Sequence, residues 1–307
     1  MKGIRTGGII QQHKAEVSPV FMNNNMGKLD LLIDDIKDVF TNNIQPSEND
    51  LKEFADNILD SIRDNFVRSE HKSKDAIRFS SVGKPNRQLW YQYNMPHKAE
   101  ELHASTRIKF MFGHMIEQLV FLLIKTAGHE VSSQQEEKTI DGVTGHMDGK
   151  VDGIVVDVKS ASPHSFNKFV SGKLYQDDPF GYIAQISGYA DGEDEAAFIV
   201  MNKVNGHMHV FNVDSLEMID FSKRLAEVKE IIHNNHPPER CYDAKPDGES
   251  GNMKLRIGCM YCDYKKKCWE DANSGNGIRV FKYKSGKRYL THVGREPNKN
   301  IEELSLS

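Results

Sequence analysis

The chain has 307 residues, of which 38% are hydrophobic and 27% are charged, which fits one sizeable core with additions or two small domains. The most apolar run, MIEQLVFLLIK at 115–125, is too short and too charged to span a bilayer, and the N-terminus lacks the apolar core of a secretory signal, so we expect a cytoplasmic protein without a membrane partner. A net charge of −4 gives no global reason to bind nucleic acid, and any such binding must come from local basic patches.

The first part of the chain is predicted to be a helical extension over residues 1–75. Apolar residues recur at helical spacing in KLDLLIDDIKDVF, which starts at Lys28 and has an acidic outer face. A second amphipathic helix is predicted over 46–66, with Ser47 as its N-cap and Asp50 in its first turn.

An α/β core with a mixed sheet flanked by helices is predicted over 76–235. A segment from 78 leads into a helix that reaches 94, and a strong helix at 106–128 ends at Gly128. The remaining predicted elements are strands at 144–151 and 154–159, a helix at 181–192, strands at 196–204 and 207–214, and a helix at 215–235.

Two smaller segments complete the predicted organisation. Residues 236–275 contain all four cysteines and form a cysteine-cluster region. Residues 276–307 form a basic C-terminal tail, in which 279–293 has the pattern of a hairpin around Ser285 and Gly286.

The stretch GHMDGKVDGIVVDVKSAS carries three aspartates on what otherwise has the pattern of a buried hairpin. Asp152 and Gly153 are a favoured two-residue hairpin turn, and that turn would place Asp148 directly opposite Asp157. Like charges in that position are destabilising unless a cation neutralises them, and Mg²⁺ prefers carboxylate oxygens. Alternation along the strand makes Lys159 share the direction of Asp157.

Two carboxylates and an ammonium on one spot suit metal-assisted hydrolysis, in which the metal activates water and the lysine positions it. A surface hairpin with one Asp–Lys ion pair stays open as the alternative. Glu117 lies among apolar residues of the preceding helix, where an unpaired carboxylate is unfavourable, so it could face the same metal or a partly solvated surface. His114, one turn earlier, could share its face as a ligand or be structural.

The segments FGHMIEQ, GHMDG and DVKSAS together resemble the PD-(D/E)XK nuclease superfamily, in its phage exonuclease and RecB-like branch. The resemblance covers about residues 78–200 and implies a restriction-endonuclease-like core. Met147 stands in place of the nominal proline of the motif, a position that the branch varies. The matched residues occur in the order of the family pattern: Gly113 with Glu117, Asp148, then Asp157-Val158-Lys159, then Gln185 with Tyr189.

The resemblance implies that Asp148 and Asp157 bind Mg²⁺ or Mn²⁺, with the backbone carbonyl of Val158 close to the metal. Glu117 would be the helix-borne ligand or base.

The same resemblance implies that Lys159 activates or orients the attacking water. Gln185 and Tyr189, four residues apart on one helical face, would support the lysine and the DNA backbone. Ordinary helix packing of these two residues is the alternative.

The function implied by the resemblance is a metal-dependent DNA exonuclease that leaves 5′-phosphates, in phage-type recombination, processing or degradation of DNA. A DNA endonuclease of the same superfamily is one alternative. A non-catalytic DNA-binding module is another, although the complete set of Asp148, Asp157 and Lys159 argues against it. The implied partners are DNA and either further copies of the chain or a recombination or replication protein, in the host cytoplasm if a phage encodes the chain.

The four cysteines are crowded at Cys241, Cys259, Cys262 and Cys268, and in a reducing cytosol such crowding favours a metal site over disulfides. Four thiolates suit tetrahedral zinc or a [4Fe–4S] cluster, and unrelated thiols stay open. The last three resemble the C-terminal triplet of iron–sulfur nucleases in the superfamily, so we favour the cluster, with zinc as the alternative. The fourth cysteine of those nucleases precedes the core; GKPNRQLWY at 83–91 resembles that segment but has no cysteine, so Cys241 would substitute.

Residues 254–288 form a basic region with ten Lys and Arg residues against three acidic ones, a net charge of +7, and with interleaved aromatic residues. This mixture suits phosphate contacts and base stacking, and a solvated basic face is the alternative. The residues predicted to contact DNA are Lys265, Lys266 and Lys267, together with Arg87 earlier in the chain.

Overall fold

The computed structural model describes residues 29–66, 77–100, 104–193 and 195–305, so the predicted helix start at Lys28 lies outside the described residues. The helices are α1 (Leu32–Thr41), α2 (Glu48–Phe66), α3 (Phe79–Val82), α4 (Asn86–Asn94), α5 (Ala104–Thr126), α6 (Pro163–Val170), α7 (Tyr182–Tyr189), α8 (Phe221–His233), α9 (Ile257–Met260), α10 (Lys265–Cys268) and α11 (Ala272–Gly275). The strands are β1 (Val131–Ser132), β2 (Glu137–Ile140), β3 (Val143–His146), β4 (Gly149–Val151), β5 (Ile154–Ala161), β6 (Ala196–Asn202), β7 (Met208–Val213), β8 (Lys245–Pro246), β9 (Met253–Lys254), β10 (Arg279–Tyr283), β11 (Gly286–His292) and β12 (Glu302–Leu304).

A mixed β-sheet lies at the centre of the fold, in the strand order β1-β4-β5-β6-β7. The pair β5 and β6 is parallel, whereas β4 with β5 and β6 with β7 are antiparallel. One face of the sheet packs with α1 and α5, and the other packs with α3, α6, α7 and α8. The fold class predicted from the sequence, an α/β core with a mixed sheet flanked by helices, is confirmed.

The N-terminal helices pack onto the core through α5. The capping contacts predicted for α2 are present, since the Asp50 backbone N–H donates to Ser47 Oγ at 3.1 Å. Across the α2 and α5 interface, Asn57 Nδ2 donates to Gln118 Oε1 at 2.8 Å, and Lys125 pairs with Glu53 at 2.6 Å. These polar contacts align the two helices side by side.

The predicted hairpin turn is confirmed. Asp152 and Gly153 both have positive φ, +50° and +82°, as the tight turn requires, and Val151 pairs with Ile154. The β4–β5 ladder continues to the pair of Gly149 with Val156, so the register also agrees with the prediction.

The predicted single strand over 144–151 is wrong in one respect, because the chain forms two strands there. β3 pairs with β2, which the sequence did not predict, and Met147 and Asp148 separate β3 from β4. The predicted ladder pair of Asp148 with Asp157 is therefore absent, since the ladder stops at Gly149.

Alternation along β5 sends its side chains to opposite faces of the sheet, as predicted. Val156 and Val158 join the apolar cluster that includes Phe121 and Ile124 of α5. Asp157 points the other way, towards the layer that contains α7.

The C-terminal part forms a second sheet in the order β12-β10-β11-β9-β8. The predicted hairpin is confirmed, with Tyr283 paired to Gly286 across the turn. This sheet and its apolar cluster join residues of the predicted cysteine region, such as Leu255 and Trp269, with residues of the predicted tail, such as Val280. The two segments therefore pack as one unit.

Within the described residues, no helix has both the length and the apolar character that a membrane crossing needs.

Candidate active site

Asp148 lies where the chain passes from β3 to β4, and its side chain reaches across to β5. Asp148 Oδ2 accepts a hydrogen bond of 2.8 Å from the backbone N–H of Val158. The break between β3 and β4 is what frees this residue from the ladder. The structure thus brings Asp148 beside the Asp157–Lys159 segment by a side-chain bond, without the strand pairing that the sequence suggested.

Asp157 is the most buried carboxylate of the site, with 1% of its surface exposed. The ammonium group of Lys159 forms an ion pair with Asp157 Oδ2, and this oxygen accepts no hydrogen bond of normal geometry. Buried charges in proteins are normally paired, and the Lys159 ammonium is the partner of this carboxylate.

Glu117 approaches the same place from α5 and is 8% exposed. Its Oε1 accepts hydrogen bonds from Gln135 Nε2 at 3.0 Å and from Gln118 Nε2 at 3.2 Å. His114 Nδ1 lies 3.8 Å from Glu117 Oε2, and this contact raises the pKa of the half-exposed His114 imidazole. The predicted closeness of Glu117 to the hairpin aspartates is present, because its charge acts on both Asp148 and Asp157.

The three carboxylates and one ammonium leave an excess of negative charge in a poorly solvated place. Burial raises the pKa of Asp148 well above its ordinary value, and the charges of Asp157 and Glu117 raise it further. Burial also raises the pKa of Asp157, against the opposing effect of Lys159. Burial alone would lower the pKa of Lys159, but the charges of Asp157 and Asp148 outweigh it and raise the pKa. Lys159 is therefore an ammonium at neutral pH.

Helix α7 contacts Lys159 through an aromatic ring. The Lys159 Nζ lies 4.7 Å from the centre of the Tyr182 ring, in a cation–π contact. Tyr182 is not among the residues predicted from the sequence; its place one turn before Gln185, on the helix that faces β5, was the available signal.

Gln185 and Tyr189 lie on that helix as predicted. Gln185 Nε2 is 3.5 Å from the Tyr189 hydroxyl. Tyr189 is buried and stacks on Phe79 with ring centres 5.2 Å apart, and burial raises its pKa to about 12. The charges of Asp157 and Asp148 also act on this hydroxyl, so Tyr189 borders the site while packing in the core.

A divalent cation suits this donor set, because Mg²⁺ and Mn²⁺ prefer carboxylate and carbonyl oxygens. The residues that could hold it are Asp148, Asp157 and Glu117, with the Val158 carbonyl. Within the described residues, no group of three or more His, Cys, Asp or Glu side chains already stands in metal-binding geometry. Lys159 contacts Asp157 Oδ2, so a cation held at this oxygen would replace that contact.

The four cysteines line one cavity of about 30 Å³, together with residues of the α4 N-terminus and with Trp269. All four are free thiols. Burial raises the pKa of Cys259 to about 11 and that of Cys262 to about 12. These sulfurs would therefore be thiols at neutral pH unless a cation held them as thiolates. Four thiols along one cavity are the donor type that zinc or an iron–sulfur cluster takes.

Cys241 lines the cavity together with the start of α4. Burial raises the pKa of its thiol, while the backbone N–H groups of Arg87 and Gln88, in the first turn of α4, act in the opposite direction. This is the chain segment that resembles the Cys-Pro-Arg-like motif without its cysteine. Cys241 thus lies against the helix start that resembles this motif, and its substitution for the missing cysteine stays a prediction.

Arg87 is inside the cysteine cavity. Its Nε donates to Cys268 Sγ at 3.2 Å, and its other nitrogens donate to the Pro238 carbonyl and to the Tyr91 hydroxyl. Lys265 is buried, whereas Arg87 is partly exposed, and the Lys265 Nζ pairs with Glu100 at 2.5 Å. The phosphate contacts predicted for Arg87 and Lys265 do not fit these positions, because both side chains already bind groups within the protein.

Lys266 and Lys267 are half-buried. Lys267 pairs with Glu270 at 2.7 Å, one turn away. The DNA contact of these two lysines stays a prediction.

No protein-family model matches the chain, and no curated protein matches it. Among solved structures, the chain is similar to SSO0001 at 12% identity and a TM-score of 0.41, over 70% of this chain and 94% of that one. It is also similar to the alkaline exonuclease LHK-Exo from Laribacter hongkongensis at 14% identity and a TM-score of 0.28, over 52% of this chain and 90% of that one. The complex of LHK-Exo with dAMP gives 16% identity and a TM-score of 0.30, over 50% and 92%.

Proposed function

We propose that the protein is a metal-dependent DNA nuclease, and specifically an exonuclease that hydrolyses phosphodiester bonds to leave 5′-phosphates. The observation that carries the proposal is the burial of Asp148 and Asp157 beside the ammonium group of Lys159, with Glu117 near enough for its charge to act on both aspartates. Like charges held close together in a buried place are unfavourable, and a purely structural role does not need them. Buried groups with strongly perturbed pKa values concentrate at functional sites.

Asp148, Asp157 and Glu117, with the carbonyl of Val158, would hold Mg²⁺ or Mn²⁺. The bound metal would supply Lewis-acid activation of water and of the phosphodiester. Asp148 is oriented for this task by the Val158 N–H, which occupies Oδ2 and leaves Oδ1 for another partner.

Lys159 would place and polarise the attacking water. Its raised pKa keeps it a donor, and the Tyr182 ring limits where the ammonium group can move. Gln185, half-buried on the same helix, would orient Lys159 and a phosphate oxygen. Tyr189 would fix Gln185 from the core side.

The cysteine cavity would hold a [4Fe–4S] cluster, with Zn²⁺ as the alternative. Its ligands would be Cys241, Cys259, Cys262 and Cys268, and the Arg87 N–H would hydrogen-bond to the Cys268 sulfur. Bound metal would join α4 to the segment from α9 to α10, and these parts also meet through Tyr91, Trp90 and Tyr264. We assign this second metal a structural role.

DNA is the proposed partner, with Lys266 and Lys267 as contacts to its backbone. The proposed setting is phage-type recombination, processing or degradation of DNA in the cytoplasm, alone, as an oligomer, or with a recombination or replication protein.

The test is release of nucleotides from DNA by the full chain, with and without Mg²⁺ or Mn²⁺. Metal-dependent release from linear duplex with closed circular DNA left intact is the expected result. Equal cutting of closed circles would replace the exonuclease with an endonuclease. DNA binding without cutting of any DNA or RNA would replace the enzyme with a binding module.

A further inference from the structure

Two exposed aromatic rings meet beside the candidate active site. Phe180 precedes α7 and is 40% exposed, and Tyr261 lies between two cysteines of the C-terminal region and is 65% exposed. Their ring centres are 5.9 Å apart with a tilt of 60°. Single exposed aromatic residues are common on proteins, but these two come from distant parts of the chain and form one surface.

This aromatic pair is continuous with the catalytic lysine. Phe180 stacks on Tyr182 with ring centres 5.6 Å apart and planes 29° apart. Tyr182 also contacts the Lys159 ammonium, which lies 4.7 Å from its ring centre. A ligand that covers Phe180 and Tyr261 therefore lies one aromatic ring away from the residue that would position the water.

The backbone holds both rings in place. Before α7, Asp178 accepts hydrogen bonds from the backbone N–H groups of Gly181 and Ile183, at 3.0 and 2.9 Å. Gly181 packs so closely on Gly83 that a Cβ atom at Gly181 would lie 2.3 Å from backbone. Tyr261 follows α9, and its N–H donates to the Ile257 carbonyl at 3.3 Å. A fixed surface loses little conformational entropy when it binds.

The two carboxylates just before α7 have partners that offset their negative charge, so they do not prevent a nucleic acid from binding. Asp177 is paired with Lys168 at 2.5 Å. Both oxygens of Asp178 accept backbone N–H groups at the start of α7, so its charge is offset by the helix.

We propose that Phe180 and Tyr261 form a stacking platform for unpaired bases of a DNA strand, and that the substrate is therefore a strand with a single-stranded end. The inference rests on the proposed function, because the polymer on the platform is a nucleic acid only if Lys159 acts on a phosphodiester. Bases of any sequence have π-faces, so aromatic side chains bind single strands without sequence preference, whereas paired bases are stacked within the duplex and cannot lie on the rings.

The experiment measures binding by full-length protein that carries Asp157→Asn to prevent cutting. The probes are a fluorescent oligo-dT, a duplex with a single-stranded overhang, and a blunt duplex. Phe180→Ala and Tyr261→Ala are each expected to weaken binding of oligo-dT and of the overhang roughly 5- to 100-fold, the range for loss of one stacked base. Blunt duplex should bind about equally to all the proteins.

Two sets of variants guard against indirect effects. Phe180→Trp and Tyr261→Trp should keep binding near the parent level, because they keep a stacking face. Phe40→Ala removes a ring that is 67% exposed on α1, on the opposite side of the sheet, and should leave binding unchanged. Unfolding midpoints and bound metal of each variant are compared with the parent to confirm intact folding.

The outcomes separate the platform from the nuclease. Unchanged oligo-dT binding in folded Phe180→Ala and Tyr261→Ala proteins overturns the platform, even if the wild type cuts DNA with Mg²⁺. An equal loss of blunt-duplex binding in these variants also overturns the platform. Weaker binding of oligo-dT and of the overhang, with blunt-duplex binding unchanged, supports the platform. If the same protein cuts no DNA, that result rules out the proposed nuclease activity and leaves the platform standing.

Discussion

The Val158 backbone N–H donates a hydrogen bond of 2.8 Å to Asp148 Oδ2, and this bond fixes the first proposed metal ligand against the strand that carries the second. It replaces the ladder pair of Asp148 with Asp157 that the hairpin register alone would give. An aspartate held in this way has a defined orientation before any metal binds, and such preorganisation is what a catalytic metal site requires.

Asp148→Asn should stabilise the metal-free protein at neutral pH by about 0.5–2 kcal/mol while abolishing cleavage, the usual trade between stability and activity at a functional site. The Asn oxygen can still accept the Val158 N–H, and the repulsion with Asp157 and Glu117 disappears. Because folding raises the pKa of Asp148, the gain is full above its folded pKa and vanishes below the ordinary aspartate pKa, where the wild-type carboxyl is protonated in both states. Thermal unfolding across this pH range measures it; a gain that grows towards acid pH would contradict the account.

Lys159→Met should destabilise the metal-free protein by about 3–5 kcal/mol, because it leaves the buried Asp157 carboxylate without its counter-charge. Mg²⁺ should then raise the unfolding midpoint of the variant more than that of the wild type, since no ammonium group competes for Asp157. Calorimetric unfolding with and without Mg²⁺ provides both numbers. Equal stabilisation of the two proteins by Mg²⁺ would show that the metal does not bind at Asp157.

Gly181→Ala should destabilise the protein by about 1–3 kcal/mol, because Gly181 has φ of +75° and its Cβ would meet the backbone of Gly83. The matched control is Gly113→Ala on α5, where a Cβ meets no heavy atom within 4 Å; there a stabilisation of about 0.5–1 kcal/mol is expected. Urea unfolding gives both free energies. A neutral Gly181→Ala would mean that the α7 start is not held as described.

Cys241→Ser should remove most of the metal bound by protein purified without oxygen. The other three thiols cannot complete four-fold coordination, and Cys241 is the proposed fourth ligand, which lies against the start of α4. Elemental analysis and the visible absorption spectrum distinguish iron from zinc. A colourless wild-type protein that contains zinc would show that the site binds zinc and no iron–sulfur cluster. Wild-type protein that contains neither metal would rule out the second cofactor.

Local chemistry explains what the sequence predicted well. The turn at Asp152 and Gly153 needs only two residues that accept positive φ, and the burial of Val156 and Val158 follows from strand alternation. The helix at 46–66 has its cap and its apolar face in one continuous stretch.

The errors concern partners that are distant in the chain. The burial of Lys265 depends on Glu100, 165 positions away, and no local pattern shows it. The contact of Lys159 with Tyr182 depends on how α7 lies on β5. The β2 strand is a short, mostly polar segment, and its pairing with β3 splits the predicted strand just before Asp148.

The most direct test of the account compares cleavage by Asp157→Asn with cleavage by Asp152→Asn. Both variants remove one negative charge from the same hairpin. Asp152 belongs to the turn and contacts His129 at 2.7 Å, and Asn accepts its positive φ, whereas Asp157 is in the acidic cluster. With Mg²⁺ and linear DNA, we expect Asp157→Asn to lose cleavage entirely and Asp152→Asn to keep nearly wild-type rates. Wild-type protein that releases no nucleotides, or a folded Asp157→Asn protein that cuts as fast as Asp152→Asn, would contradict the assignment of this cluster as the active site.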